Sequence, residues 1–219
     1  MTDLPLPLPE LRRRLSSTLV SDALDALGRT HQCLGPGLTP LHERHVIVGF
    51  AFPVRFERVD GAPEVPYVGL LKALDSVGRD DVYMPTSDAA PDVALWGELI
   101  TTICKVAGVA GAVCDGFIRD SRQVRALDFP VFCRGTIPLD AHGRFEVTGH
   151  NVPITVNGVE VLPGELVVAD ADGVLVIPDD VRGEAIERAL EKAVREDGFR
   201  EAVASGMRPS RAFELHKVL

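Results

Sequence analysis

The chain has 219 residues, 46% of them hydrophobic and 5% aromatic. This suits one large domain whose core is mainly Val, Leu, Ile and Ala. The net charge of −9 argues against nucleic acid as the main partner, because phosphate binding needs clustered Lys and Arg.

In chain order, residues 1–9 carry Pro5, Pro7 and Pro9 and read as a flexible N-terminal arm. MTDLPLPLPE lacks the charged-then-apolar pattern of a secretion signal, and no apolar run reaches ~18 residues, so a soluble, cytoplasmic protein with no membrane partner is expected. A helical stripe begins at Glu10 and runs through Leu11, Leu15, Leu19, Ala23, Leu24 and Leu27 to a stop at Gly28, with Ser16 and Ser17 as helix caps. GPGLTP, residues 35–40, is a turn-rich loop. Residues 46–59 predict one long strand, or two strands broken near Pro53. Residues 65–77 read as a helix and 80–85 as a short strand. Between Ser87 and Gly108, Ile100, Ile103, Cys104 and Ala107 form one apolar stripe at helical spacing.

A buried strand over 111–116, a short helix over 119–127 and a strand over 130–135 imply a βαβ unit with parallel strands. Asn157-Gly158 and Asp172-Gly173 are hairpin signals, which also explains the acidic pair Asp170 and Asp172 better than a metal does. A charged helix runs from about Asp179 to Ala204. Its alternating signs at Glu187, Arg188, Glu191 and Lys192 suit a solvent-exposed or subunit-spanning face. Cys33, Cys104, Cys114 and Cys133 have no CxxC spacing, and three of them lie in apolar runs, as buried reduced thiols do. The histidines form no HxH or HExxH pattern, which speaks against zinc.

Two segments could carry chemistry. WGELI, Trp96 to Ile100, starts a predicted helix, and DGFIRD, Asp115 to Asp120, ends a predicted strand. Ligands collect outside the carboxyl ends of parallel strands, so both belong at one site. The helix start offers free N–H groups to a carboxylate, and Gly97 lets a ligand approach that backbone. Arg119 offers a planar fork of donors to a carboxylate or enolate oxygen. Glu98, Asp115 and Asp120 offer oxygens to a hard cation such as Mg²⁺. The bland alternative makes Arg119 and Asp120 a helix-start ion pair, and Glu98 a first-turn acid favoured by the helix dipole alone.

The stretch GELITTICKVAGVAGAVCDGFIRD, Gly97 to Asp120, resembles the signature of the RraA-like family. The likeness extends more loosely from Ser17 to Pro178, through STLVSDALDALG, FPVFCRG and PGELVVADADGVLVIP. The family includes 4-hydroxy-4-methyl-2-oxoglutarate and 4-carboxy-4-hydroxy-2-oxoadipate aldolases, and RraA, an inhibitor of ribonuclease E. The resemblance implies an α/β fold of the swivelling β/β/α type, with a compact β-barrel-like sheet core flanked by helices. Residues 10–178 would be the catalytic domain and 179–219 a C-terminal helical extension packing at a subunit interface of a homotrimer or homohexamer.

By the same resemblance, Asp120 holds a divalent metal, Mg²⁺ or Mn²⁺, largely through waters. Arg119 binds the oxo and hydroxyl oxygens of a small 2-oxo acid. Glu98 orients metal-bound water, where aldolase members usually carry Asp. The amides from Gly97 through Leu99 to Ile100 hold the pyruvate carboxylate. A C-terminal glutamate of a neighbouring subunit completes the site, with Glu196 the candidate and Glu191 and Glu201 its rivals. The implied activity is cleavage of a 4-hydroxy-2-oxo acid to pyruvate, with oxaloacetate decarboxylation beside it. The alternative is a non-catalytic regulator of a ribonuclease.

Overall fold

The leucine stripe that begins near Glu10 folds as two helices, α1 (Leu8–Arg14) and α2 (Ser17–Ala26). The computed structural model describes residues 4–87 and 92–219. Leu15 breaks the stripe in extended backbone, and the Ser16 side chain caps α2 by accepting from the Leu19 N–H at 3.2 Å. Ser17 donates through both its N–H and its hydroxyl to Asp170, 2.6 Å each, so the break is fixed from across the fold. The arm expected over residues 1–9 is therefore seated from Leu4 onward. Leu4 and Leu6 pack on the helical cluster and α1 has already started at Leu8, because burying these leucines outweighs the looseness that the prolines suggest.

Residues 47–58 form one strand, β2 (Ile47–Arg58), without a break at Pro53. On one edge β2 pairs parallel with β3 (Asp81–Ser87). On the other edge it serves two antiparallel partners in turn, β10 (Leu166–Asp170) along Ile47–Phe50 and β7 (Phe145–His150) along Val54–Arg58. Pro53 falls between those two partners, where no ladder N–H is needed from it, and its carbonyl accepts from the Asn151 N–H at 2.8 Å.

The main sheet runs β1 (Thr39–Pro40), β6 (Val131–Thr136), β5 (Gly111–Ile118), β3, β2, β10 and β11 (Gly173–Ile177). A short strand, β4 (Ala94–Trp96), joins the carboxyl end of β5 in parallel. A separate hairpin pairs β8 (Ile154–Val156) with β9 (Val159–Val161) across the expected Asn157-Gly158 turn, both residues having positive φ. The second hairpin turns one residue earlier than expected. Asp170 pairs with Gly173, so Ala171 and Asp172 form the turn, and the Asp172 N–H donates back to the Asp170 carboxylate at 3.0 Å. The result is a nearly closed, barrel-like sheet flanked by helices, as the sequence led us to expect.

Three apolar clusters hold it together. One, with Phe52, Tyr83, Trp96, Ile118 and Phe129, lies under α3 (Val68–Ser76), α4 (Glu98–Ala107) and α5 (Ser121–Ala126). A second, with Ile47, Val113, Phe132, Val156 and Val176, fills the space between the main sheet and the small hairpin. The third joins α1 and α2 to β10, β11 and the long helix α6 (Arg182–Ala204) through Ala185, Ile186 and Ala189. A last helix, α7 (Pro209–His216), lies beyond the charged helix read from the sequence and folds back on α6. No helix among the described residues is long and apolar enough to cross a membrane.

Candidate functional site

β4 and β5 run side by side and end together, with Ala94 opposite Phe117 and Trp96 opposite Ile118. The Arg119 N–H donates to the Trp96 carbonyl at 2.9 Å and ties the two strand ends. Gly97 follows one strand, Arg119 and Asp120 the other. A Cβ on Gly97 would sit 2.9 Å from Asp120 Oδ2 and 3.2 Å from Arg119 Cγ, so only glycine fits without displacing them. Gly97 itself is extended; the requirement is space, not backbone twist. Asp120, by contrast, adopts left-handed backbone, φ 54° and ψ 32°. Aspartate is one of the few side chains that enter that region readily, and here the conformation turns the chain from β5 into α5.

Asp120 precedes α5, but its side chain does not cap that helix. It turns to α4 and accepts from the Glu98 N–H at 3.3 Å. The dipole of its own helix therefore does not explain it. The first turn of α4 keeps the N–H groups of Leu99 and Ile100 without an acceptor among the described residues. These point toward the dipole's positive end, a fit for a carboxylate. Leu99 is exposed, Ile100 half-buried, and Glu98 Oε1 accepts from the Thr102 hydroxyl at 3.0 Å.

Arg119 is 38% exposed and held by two acids, Asp140 Oδ2 at 3.2 Å from Nη1 and Asp120 Oδ2 at 3.7 Å from Nε. Asp140 was missed from the sequence. It arrives through a single parallel bridge to Ala94, supported by the Ala94 N–H donating to the Leu139 carbonyl at 2.8 Å. No local pattern announces a contact between residues so far apart in the chain.

Asp115 stands elsewhere, and Glu196 was expected only from a neighbouring subunit. Asp115 does not line the site: its carboxylate accepts from Arg134 Nε at 2.6 Å and from the Thr86 hydroxyl at 2.8 Å, and those partners hold it. Glu196 lies on α6, paired with Arg200 at 2.9 Å and Lys192 at 3.7 Å, and does not line the cleft of its own chain. Trp96 is buried against Tyr83 and Phe129, and Cys104, Cys114 and Cys133 are buried thiols, as expected.

Gly97, Glu98, Arg119, Asp120 and Asp140 form one end of a cleft of about 310 Å³. Its other end is apolar, between α3 and the start of α4. Among the described residues no group of three or more His, Cys, Asp or Glu is arranged to hold a metal. What the site does offer is the exposed Asp120 carboxylate, whose Oδ1 takes no hydrogen bond among the described residues. A lone carboxylate fits a hard cation that keeps most of its waters, such as Mg²⁺ or Mn²⁺, and does not fit a closed zinc or calcium cage.

The family model described as RraA-like, Aldolase/RraA, matches residues 17–176. A protein of Halalkalibacterium halodurans, provisionally named a 4-hydroxy-4-methyl-2-oxoglutarate aldolase, is 34% identical over 207 residues, covering 94% of this chain and 93% of its own. A solved structure of an uncharacterized protein from Pseudomonas syringae pv. tomato superposes with a TM-score of 0.83 at 29% identity, over 97% of this chain and 99% of that one. Streptomyces coelicolor RraAS2, described as an unusual member of the RNase ES inhibitor RraA protein family, gives 0.77 at 31% identity, over 89% and 97%. The matched span runs from α2 to β11 and takes in both strand ends that build the cleft, and on it the chain belongs to the RraA-like family.

Proposed function

We propose that the protein is a divalent-metal-dependent carbon–carbon lyase that cleaves a 4-hydroxy-2-oxo acid to pyruvate and a second oxo compound, and that the same site decarboxylates oxaloacetate. One observation carries this reading: a half-exposed arginine faces the open first turn of α4, with Asp120 bridging the two. Asp120 would hold the cation, which when bound would supply Lewis-acid polarisation of the 2-oxo group.

The rest follows from the chain's own residues. The Leu99 and Ile100 amides receive the substrate carboxylate at the positive end of α4. The Arg119 guanidinium donates to the oxo oxygen and gains most as that oxygen becomes an enolate. Glu98 orients a water that takes the C4 hydroxyl proton. The C3–C4 bond then breaks, its electron pair stays with the pyruvate enolate, and C3 is protonated to complete pyruvate. Loss of CO₂ from oxaloacetate leaves the same enolate, so one site serves both reactions. Asp140 fixes the direction of the Arg119 fork. In a homotrimer or homohexamer, α6 of a neighbouring copy would bring Glu196, or Glu191 or Glu201, to the cleft as a further acid.

A second reading, a non-catalytic regulator that binds a ribonuclease, is favoured by the likeness to Streptomyces coelicolor RraAS2. The test is pyruvate release from 4-hydroxy-4-methyl-2-oxoglutarate and from oxaloacetate. Release that EDTA abolishes and Mg²⁺ or Mn²⁺ restores supports the lyase. Full activity after rigorous chelation removes the metal from the mechanism, and no release from any 2-oxo acid favours the regulator.

A further inference from the structure

We infer that His142, with Tyr67 against it, receives a carboxylate carried on C4 of the substrate and so sets the preference for a diacid over a monoacid. This deepens the lyase reading and rests on it. Asp140, which holds Arg119, lies on the segment between β6 and β7, and His142 follows it by two residues. The Arg144 and Phe145 N–H groups both donate to the Ala141 carbonyl at 2.8 Å and fix the turn that carries both side chains into the cleft lining. Two residues of backbone span at most ~7 Å, the length scale of a five-carbon diacid. A substrate whose oxo group meets Arg119 therefore brings its C4 end toward His142.

Donors are few in this cleft. Among the described residues, the side-chain donors in its lining belong to Arg119, His142, Tyr67 and Trp96, and the Trp96 N–H is buried. Arg119 is already committed to the oxo group. His142 is half-buried and stands against Tyr67, ring centroids 5.2 Å apart, and neither side chain has a hydrogen-bond or ion-pair partner among the described residues. Tyr67 reaches this position in left-handed backbone, φ 63° and ψ 13°, which so bulky a side chain seldom adopts. An imidazole offers one N–H when neutral and two when charged, and the phenol offers an O–H beside it. Glu98, Asp120, Asp140 and Glu146 also face the cleft, so a substrate carboxylate is accepted there only where donors meet it.

For 4-hydroxy-4-methyl-2-oxoglutarate the step balances without a co-reactant. The C4 hydroxyl loses its proton to water, the C3–C4 bond breaks, and C4 becomes the carbonyl carbon of one pyruvate. The electron pair of that bond stays with C3 as the enolate, which takes a proton to give the second pyruvate. The carboxylate on C4 passes unchanged into the first, so His142 and Tyr67 hold it throughout.

Pyruvate release, counted per bond cleaved, would be measured with Mn²⁺ for 4-hydroxy-4-methyl-2-oxoglutarate, for 4-hydroxy-2-oxopentanoate, which lacks the C4 carboxylate, and for oxaloacetate. The first two both carry a C4 methyl group, so the apolar wall of α3 serves them alike. Wild type should favour the diacid of that pair in kcat/KM by about tenfold or more, the scale of a hydrogen bond to a charged group. His142→Phe keeps a ring against Tyr67 and should cut that ratio by about tenfold, chiefly through KM for the diacid. Tyr67→Phe should cut it by a smaller factor, roughly threefold. Both rates scale with the folded fraction, so a loss of stability alone leaves the ratio where it was. A wild type with no preference for the diacid overturns the inference and leaves the lyase standing. So does a ratio unchanged in His142→Phe, which gives the C4 carboxylate to another group, a neighbouring subunit's included. Pyruvate from oxaloacetate alone also overturns the inference, and no pyruvate from any of the three substrates brings down the lyase reading with it. The wild-type ratio and Tyr67→Phe decide where His142→Phe does not fold.

Discussion

Replacing Gly97 by alanine tests the geometry of the site with one methyl group. The backbone there, φ −162° and ψ −170°, is ordinary for alanine, so the effect comes from crowding. The new Cβ would meet Asp120 Oδ2 at 2.9 Å and Arg119 Cγ at 3.2 Å, where ordinary contact begins near 3.4 Å. Asp120 must retreat by roughly 0.5 Å and Arg119 by a smaller amount, a shift that packing at this density does not absorb silently. The Asp120 contact to the Glu98 amide, already 3.3 Å, is lost at that displacement. Both side chains are about two-fifths exposed and can swing outward, so the fold loses little, about 1 kcal/mol or less including the poorer cap. Misalignment of the reacting groups costs far more. A displacement of this kind lowers kcat on the order of a hundredfold, close to 3 kcal/mol of barrier. The assay is pyruvate release coupled to NADH oxidation by lactate dehydrogenase, with a thermal melt on the same preparation. A Gly97→Ala protein whose kcat stays within about twofold of wild type would refute the claim that Gly97, Arg119 and Asp120 together form the reacting centre.

Arg119→Ala should raise the barrier by about 3 kcal/mol and so lower kcat about a hundredfold, as for loss of one oxyanion donor, while its half-exposed ion pairs contribute roughly 0–1 kcal/mol to stability. Arg119→Lys should restore only part of the rate, because a point charge cannot reproduce the planar fork; a lowered melting temperature with near-normal kcat would make Arg119 a structural residue instead. Light scattering at micromolar concentration should give the mass of a trimer or hexamer, and a monomer would remove Glu196 from the site. At pH 8 a disulfide reagent should label one thiol quickly, the exposed Cys33, and all four only after denaturation. Burial pushes the Cys104 thiol up to about 12, and the folded protein keeps it protonated until the pH approaches that value, so rapid labelling of a second thiol would contradict the packing.

The parts of the site legible in the sequence were those whose signals are local. Gly97 to Asp120 is continuous, its helix and its strand are legible from local pattern, and the Asn157-Gly158 turn states its own conformation. What stayed hidden depends on distant partners. β4 is three apolar residues, Ala94 to Trp96, that read as a helix start until β5 lies beside them. β7 alternates weakly in FEVTGH and exists because the far half of β2 has a free edge. Asp140 reaches Arg119 through one bridge to Ala94. Asp115 looked like a site acid because it shares a motif with Asp120, yet Arg134 claims its carboxylate. The stripe through Leu11, Leu15 and Leu19 shows the same limit, since the break at Leu15 is set by Asp170, far along the chain.

The left-handed backbone at Asp120 has a consequence for how this protein can change. Left-handed backbone costs most side chains roughly 1–2 kcal/mol and aspartate less, a strain that glycine would not carry at all. Glycine would also forfeit the carboxylate that spans Arg119 and the α4 amide. Under the lyase reading, heat tolerance and turnover therefore pull position 120 in opposite directions. A population selected only for survival at high temperature would find an easy gain there and lose its chemistry in the same step.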